Sequence, residues 1–347
     1  MTDTPFERMK DLPSTHLMGA GTVMCAGCGG LQAVKEAYDV LGPKTVFVNA
    51  AGCMTLSSIY PFTPFRGSWL YTAMASAPAG AQGVRDALDV LRETGRMTED
   101  DDMKVVVLTG DGSAYGMGLS ATSGAIERGL DFLYICYDNE GYGNTGQQTS
   151  GATPLGAHTA TDTGPVGFRG AKKDLFAIWA AHRPAYAATV VGAEPLDLAR
   201  KIAEADKRDG PRLILALSPC PVGWGFEPDR TVEIGRLAVR TGIWPLKEFV
   251  DGQVRHTRKP HPRLPVEAYL ETQARFATCS SPSAATTSSA RSSAAWTRTG
   301  PKSTESRGGT DHAGPVHAEL LSSRRRPPAV GRHHRGPLRR RRRAPSG

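Results

Sequence analysis

Short apolar runs alternate with amphipathic stretches along the first 276 residues of the chain. Five of these runs have the length of buried strands, and one of them, residues 104–109, is rich in β-branched residues. These predicted strands are residues 45–49, 104–109, 132–137, 186–191 and 212–217. Apolar residues at helical spacing predict helices at residues 31–41, 79–92, 118–128, 172–181 and 195–207. This alternation predicts an α/β fold, a mostly parallel sheet with helices on both faces.

The pattern ends at Phe276. Residues 277–347 are rich in Ser, Arg and Pro, have few apolar residues and follow no sustained period. Such a segment buries too little surface to offset its ordering entropy. It is interpreted as a basic arm, a solvated linker or the out-of-frame product of a GC-rich gene, and we favour the last. The predicted domains are therefore residues 1–276, a folded α/β domain, and 277–347, a disordered or out-of-frame tail.

The positive charge lies in the tail. The formal net charge of the chain is +8, but residues 277–347 hold 14 basic and 3 acidic residues, which leaves residues 1–276 at −3. No aromatic residues interleave the arginines of residues 324–343, so nucleic acid is not the predicted partner. The sequence has no apolar run long enough for a membrane span and no signal-peptide pattern at its start. A cytoplasmic location is expected.

A glycine-rich segment follows the predicted strand 104–109. Asp111 lies between Gly110 and Gly112 at the carboxyl end of that strand, and Ser113 and the next helix offer N–H groups to phosphate oxygens. The next predicted strand delivers Asn139 to the same edge. A carboxylate and an amide oxygen, completed by ligand phosphates, suit Mg²⁺. The segment therefore predicts a site for a diphosphate and its magnesium ion.

Four cysteines have the spacing of a metal site. Cys25 and Cys28 form a Cys-x-x-Cys pair, and Cys53 and Cys220 follow in separate loops. Alone, the pair is also compatible with a thiol redox site or with buried small residues. Four thiolates suit either a tetrahedral zinc ion or a four-iron cluster, and spacing does not separate the two. Cys136, in the middle of a predicted strand, is expected to be a buried apolar residue.

The Gly-Asp-Gly segment followed by a strand ending on Asp138 and Asn139 resembles the magnesium-binding signature of thiamine-diphosphate enzymes. Together with the cysteines, it resembles the β subunit of pyruvate:ferredoxin oxidoreductase, within the 2-oxoacid:ferredoxin oxidoreductase family. The resemblance covers about residues 10–275. It includes residues 49–53, 123–129, 142–147 and 219–224.

This resemblance implies roles for individual residues. It implies that a [4Fe-4S] cluster is ligated by Cys25, Cys28, Cys53 and Cys220. It also implies that thiamine diphosphate and Mg²⁺ bind at Gly52, Gly110, Asp111, Gly112, Ser113, Asn139 and Gly141. The magnesium ligands would be the side chains of Asp111 and Asn139 and the carbonyl of Gly141, with Asn144 facing the reacting carbon. Glycines at 141 and 143 predict a loose loop around Asn144.

The resemblance further implies oxidative decarboxylation of a 2-oxoacid, with pyruvate as first candidate, to acyl-CoA and CO₂. Electrons would pass through the cluster to ferredoxin, and coenzyme A would accept the acyl group. The glutamate that activates thiamine in this family belongs to a second module, which residues 1–276 lack. An α-type partner subunit is therefore expected, with γ- or δ-type subunits as further candidates.

Two other functions compete with this prediction. A non-oxidative thiamine enzyme, related to a decarboxylase or acetolactate synthase, would use the same magnesium site but would not need four cysteines as a set. A nucleic-acid-binding scaffold would depend on the tail alone.

Overall fold

The structure is a computed structural model that describes residues 6–59 and 61–280, with side chains up to residue 277. Its strands are β1 (Thr45–Ala50), β2 (Ser68–Thr72), β3 (Lys104–Gly110), β4 (Phe132–Asp138), β5 (Tyr186–Val191), β6 (Pro211–Leu217), β7 (Lys247–Val250) and β8 (Gln253–His256). They form a sheet in the order β2-β1-β3-β4-β6-β5-β7-β8. Strands β1 to β6 are parallel, and β7 and β8 add an antiparallel edge.

Helices cover both faces of this sheet. They are α1 (Gly29–Leu41), α2 (Ala77–Glu93), α3 (Leu119–Glu127), α4 (Leu175–Ala181), α5 (Pro195–Asp206), α6 (Pro221–Trp224), α7 (Thr231–Arg240) and α8 (Glu267–Leu270). Helices α1 and α5 pack on one face, and α2, α3, α4 and α7 on the other. In β3, Val105 and Val107 enter one core while Val106 and Leu108 enter the other. Burial on both faces explains the continuous apolar runs in the sequence.

The strand order reverses between β1 and β3. The chain leaves β1 for its outer neighbour β2, whereas it leaves β3 for β4 on the opposite side. Ligands of open α/β sheets bind in the crevice outside the carboxyl ends of strands at such a point. The loops at Gly52 and Asp111 border this crevice.

The predicted α/β class is confirmed, and the five predicted strands and five predicted helices are present. Strands β2, β7 and β8 and helices α6, α7 and α8 were not predicted, and two of the predicted elements differ locally. The chain turns helical directly after β3, and residues Ser113–Met117 form a π-helix ahead of α3. Helix α4 begins at Leu175 rather than residue 172, because Asp174 caps it by accepting a hydrogen bond from the Ala177 N–H at 2.9 Å. Lys172, which precedes this cap, instead pairs with Asp138 and Glu140.

The core extends to the predicted domain boundary. Arg275 and Phe276 are buried, and a 3-10 helix at Ala274–Ser280 crosses that boundary. The predicted tail lies, from residue 281 onward, outside the described residues. Within the described ranges, the longest apolar helices fall short of what a membrane crossing requires.

Candidate functional site

Four loops meet at the carboxyl edge of the sheet. They follow β1, β3, β4 and β6, and the strand register places Gly110 beside Tyr137 and Asp138 beside Leu217. Strands that end at the same level deliver their following residues to one surface. The candidate residues Gly52, Asp111, Asn139 and Cys220 are thereby brought to one edge.

Three oxygen atoms converge in this crevice. The side-chain oxygen of Asn139 lies 2.7 Å from the Gly141 carbonyl oxygen and 2.7 Å from Oδ1 of Asp111. Reversing the amide would turn both contacts into hydrogen bonds, whereas a cation at their centre would satisfy the oxygens in place. One carboxylate, one amide and one carbonyl oxygen are a donor set that Mg²⁺ accepts. The residues therefore fit the metal that the sequence implies.

Asp111 is buried, with 1% of its surface exposed. Burial and the negative charge of Asp138 hold the pKa of its carboxyl well above the usual value, while a hydrogen bond from the Ser150 hydroxyl opposes this shift. The ionised carboxylate is thus costly in the protein alone. A bound cation would supply the missing compensation.

Lys172, whose charge acts on Asp111, is already paired with two other carboxylates. Lys172 Nζ lies 2.9 Å from Asp138 and 2.8 Å from Glu140, and Arg275 Nη2 lies 2.7 Å from the second Glu140 oxygen. The Tyr115 hydroxyl donates to Asp138 at 2.6 Å. Although burial opposes it, the charges of Lys172 and Arg275 lower the pKa of Glu140. This buried network fixes the segment that carries the converging oxygens.

The loop after Asn139 is tightly hydrogen-bonded, contrary to the loose loop predicted from its glycines. The Tyr142 N–H donates to the Gln148 carbonyl and the Gln147 N–H to the Tyr142 carbonyl, both at 2.9 Å. A Cβ at Gly141 would lie 2.5 Å from Nε2 of Gln147. The glycines permit close packing here, and the loop presents Asn144 as an exposed side chain.

The other candidate glycines have a packing role. A Cβ at Gly52 would lie 2.7 Å from the Tyr137 hydroxyl oxygen, and one at Gly110 would lie 3.0 Å from the same ring. A Cβ at Gly112 would collide with the Tyr142 ring. The buried Ser113 hydroxyl donates to the Met74 carbonyl. A cofactor role for these four residues therefore has to come from backbone groups.

Contacts between distant loops bring the cysteine-bearing segments together. The Gly29 N–H donates to the Pro219 carbonyl at 3.1 Å, which joins the loop of Cys28 to that of Cys220. Cys28 caps α1 by accepting from the Leu31 N–H at 3.4 Å, and Cys220 caps α6 by accepting from the Gly223 N–H at 3.3 Å. Burial raises the pKa of both thiols, and these N–H donors, which favour thiolate, oppose that shift.

The fourth cysteine lies next to the oxygen site. Cys53 is half-buried, and its sulfur accepts from the Asn139 amide nitrogen at 3.8 Å. Burial first, then the nearby Cys220, Cys28, Asp111 and Cys25, raise its pKa to about 12. The four thiols thus interact electrostatically, and uncompensated thiolates are disfavoured. Within residues 6–59 and 61–277, no three His, Cys, Asp or Glu side chains lie close enough together to hold one metal ion. Four cysteine thiols are the donors that a four-iron cluster takes, one for each iron atom.

Sequence reasoning missed three buried side chains around the oxygens: Ser150, Lys172 and Arg275. The sequence pattern places Lys172 in a predicted helix and Arg275 next to the end of the predicted domain. All three contact the site through long-range packing, which no local motif encodes. Trp224 is fully buried, and its indole N–H donates to the Asn139 carbonyl at 2.8 Å.

Comparison with known proteins indicates a thiamine-diphosphate enzyme, the class that the sequence motifs resemble. Residues 50–216 match the thiamine pyrophosphate enzyme family, C-terminal TPP binding domain. The 2-oxoglutarate:ferredoxin oxidoreductase from Magnetococcus marinus, with 2-oxoglutarate, coenzyme A and succinyl-CoA bound, has a similar fold, with a TM-score of 0.50 at 21% identity over 67% of this chain and 83% of that one. The fold and crevice therefore define a thiamine-diphosphate enzyme domain.

Sequence relatives identify the family. Pyruvate synthase subunit PorB of Methanothermobacter thermautotrophicus is 44% identical over 269 residues, 76% of this chain and 91% of the relative. Ketoisovalerate oxidoreductase subunit VorB of Pyrococcus abyssi is 40% identical over 280 residues, 78% of this chain and 88% of the relative. The chain belongs to the β subunits of the 2-oxoacid:ferredoxin oxidoreductase family, a family of oxidoreductases.

Proposed function

We propose that this chain binds thiamine diphosphate with Mg²⁺ and one [4Fe-4S] cluster, and that it catalyses oxidative decarboxylation of pyruvate together with an α-type subunit. The products are acetyl-CoA and CO₂, and the electron pair passes to ferredoxin. The carrying observation is that the converging oxygens and the thiol of Cys53 share one side chain, Asn139. The reacting carbon of thiamine diphosphate and the cluster that accepts its electrons would then lie close to each other.

The proposed magnesium ligands are Asp111, Asn139 and the Gly141 carbonyl. Their convergence, and the costly burial of the Asp111 carboxylate, support this assignment. Thiamine diphosphate, when bound, supplies the nucleophilic carbon and the electron sink for decarboxylation. The protein neutralises the diphosphate and positions it. Exposed Asn144 is proposed to orient the substrate.

The proposed cluster ligands are Cys25, Cys28, Cys53 and Cys220. Cys25 is the most exposed of them, so an electron entering near Cys53 would leave on the Cys25 side toward ferredoxin. Backbone N–H donors already face the sulfurs of Cys28 and Cys220. Such donors tune the reduction potential of iron–sulfur clusters.

Pyruvate is the proposed substrate because several relatives at 41–44% identity are named pyruvate synthase subunits. A branched 2-oxoacid is the alternative, since the VorB relative is named for ketoisovalerate. Coenzyme A is the proposed acyl acceptor, and γ- or δ-type subunits are further proposed partners.

Anaerobic co-expression with an α-type subunit tests this function. The complex is expected to contain about four iron atoms and four sulfides per chain. It should reduce a viologen dye with pyruvate and coenzyme A, whereas this chain alone should not. Comparing pyruvate with 2-oxoisovalerate at equal concentration identifies the preferred acid. Stoichiometric zinc without iron, or aldehyde formation without an electron acceptor, would contradict the proposal.

A further inference from the structure

The Asn139 amide lies between the two candidate cofactor sites. Its oxygen faces Oδ1 of Asp111 and the Gly141 carbonyl at 2.7 Å, and its nitrogen faces the Cys53 sulfur at 3.8 Å. The backbone of Asn139 is held by the Trp224 indole N–H, which donates to its carbonyl at 2.8 Å. The side chain therefore reaches both sites from a fixed position.

A metal ion would select one orientation of this amide. Without a cation, the reversed amide gains two hydrogen bonds, to Asp111 and to Gly141. With a cation, the oxygen must face the metal, because a cation repels the N–H₂ group. The nitrogen then has to point at Cys53. Metal binding and the hydrogen bond to the sulfur thus require the same orientation of the Asn139 amide, which links the two.

Gly143 leaves the space that this hydrogen bond needs. A Cβ there would lie 2.7 Å from the Asn139 amide nitrogen and 3.4 Å from the Cys53 sulfur. Because Gly143 has an ordinary negative φ, alanine is compatible with its backbone but not with the position of the amide.

We propose that Asn139 couples the two sites: loading of the magnesium site turns its N–H toward Cys53 and thereby raises the reduction potential of the cluster. The inference rests on the proposed function. An N–H donor stabilises the extra negative charge of the reduced cluster, and a cation on the amide oxygen strengthens that donor. By linkage, reduction of the cluster strengthens magnesium–thiamine binding by the same factor.

The test is an EPR-monitored redox titration of the anaerobic complex, with and without Mg²⁺ and thiamine diphosphate. In the native complex the cofactors should raise the reduction equilibrium constant about tenfold, which is 59 mV for one electron. Two variants should lose most of this shift. Asn139→Thr keeps a neutral oxygen ligand but removes the N–H, and Gly143→Ala displaces the amide.

Gly83→Ala is the matched control, since a Cβ at this exposed position of α2 meets nothing within 4 Å. It should retain the native shift. A shift that is absent from the native complex, or equal in native and both variants, overturns the coupling while leaving the proposed function intact. Absence of iron or of thiamine binding in the native complex overturns the proposed function and the coupling together.

A spectroscopic measurement on the native complex decides the question if neither variant takes up a cluster. Pulsed EPR of the reduced cluster should detect a strongly coupled, deuterium-exchangeable proton that is present only with Mg²⁺ and thiamine diphosphate bound. The same proton signal in both states would overturn the coupling.

Discussion

The two ends of the parallel strands are both lined with buried polar groups, but these groups are satisfied in different ways. At the amino ends of β3, β4 and β6, each buried cation faces a carboxylate. At the carboxyl ends, oxygens face oxygens, and several polar atoms lack partners among the described residues. Buried polar groups that pair with one another stabilise a fold, whereas buried polar groups without a partner indicate a ligand site.

The amino edge surrounds a cavity of about 240 Å³. Arg85 pairs with Asp102 at 2.8 Å and also donates to the Met103 carbonyl at 3.1 Å. Lys104 pairs with Asp206 at 2.7 Å. These charged side chains at the cavity thus pair with one another.

The carboxyl edge is incomplete in the part of the chain that the structure describes. Beyond the three converging oxygens, the buried Oδ1 of Asn49, Oε1 of Gln147 and Nη1 of Arg275 have no hydrogen-bond partner there. Gln147 also has a φ of +62°, in the left-handed region. Gln147 thus combines a strained backbone with a buried oxygen that lacks a partner, as residues at functional sites can.

The largest expected effect of breaking the carboxyl edge is loss of the cluster. Cys53→Ser should abolish or degrade the iron content, because serine is a poor substitute for a thiolate ligand. Cys136→Ser is the control, since Cys136 is fully buried in the core within β4. Iron analysis and the visible spectrum of both anaerobic variants test this. Equal iron loss in the two would show that the effect is structural.

Asp111→Ala should weaken thiamine diphosphate binding by roughly tenfold or more, about 1.4 kcal/mol. The reason is loss of the proposed carboxylate ligand of magnesium. The folding stability of the cofactor-free chain should stay the same or rise, since a buried, poorly compensated carboxylate is removed. Calorimetric titration of the complex and thermal melts measure the two quantities. Unchanged affinity would refute the assignment.

The fold that places the candidate site was easier to predict from the sequence than the side chains that surround this site. Asp111 and Asn139 were identifiable because each directly follows a strongly apolar strand, and strand ends of a parallel sheet meet. Lys172 and Arg275 were not, because their partners Asp138 and Glu140 are more than thirty residues distant and depend on packing. Likewise, Gly143 was read as a source of looseness, although its packing against Asn139 requires the glycine.

Breaking the amino edge should have the opposite effect, a loss of stability without a loss of binding. Arg85→Leu leaves Asp102 and the Met103 carbonyl without their buried donor, and about 2 kcal/mol of unfolding free energy should be lost. Thiamine affinity and iron content should not change. Arg92→Ala, at a more exposed pair with Asp102, should lose less than about 1 kcal/mol. Weakened thiamine binding in Arg85→Leu would mean that the two edges are coupled.

The last expected effect depends on pH and concerns a carboxyl group that belongs to neither edge. Glu36 lies on α1, where Gln32 donates to its Oε1 at 3.3 Å and its Oε2 is buried without a partner among the described residues. Burial raises its pKa to about 7, while the Gln32 hydrogen bond and Lys35 oppose this shift. The folded pKa exceeds the unfolded value, so the stabilising contribution is complete below about pH 4.5 and is lost as the pH rises through about 7.

Glu36→Gln removes this titration. The variant and the native chain should be equally stable near pH 4, where Glu36 is neutral in both the folded and the unfolded chain. Near pH 8 the variant should be more stable by about 1–2 kcal/mol, because it avoids a buried negative charge. Unfolding midpoints of both proteins across this pH range measure the difference. A difference that does not depend on pH would show that Glu36 has the same pKa in the folded and the unfolded chain, and hence that its unpartnered carboxyl oxygen is solvated in the folded protein.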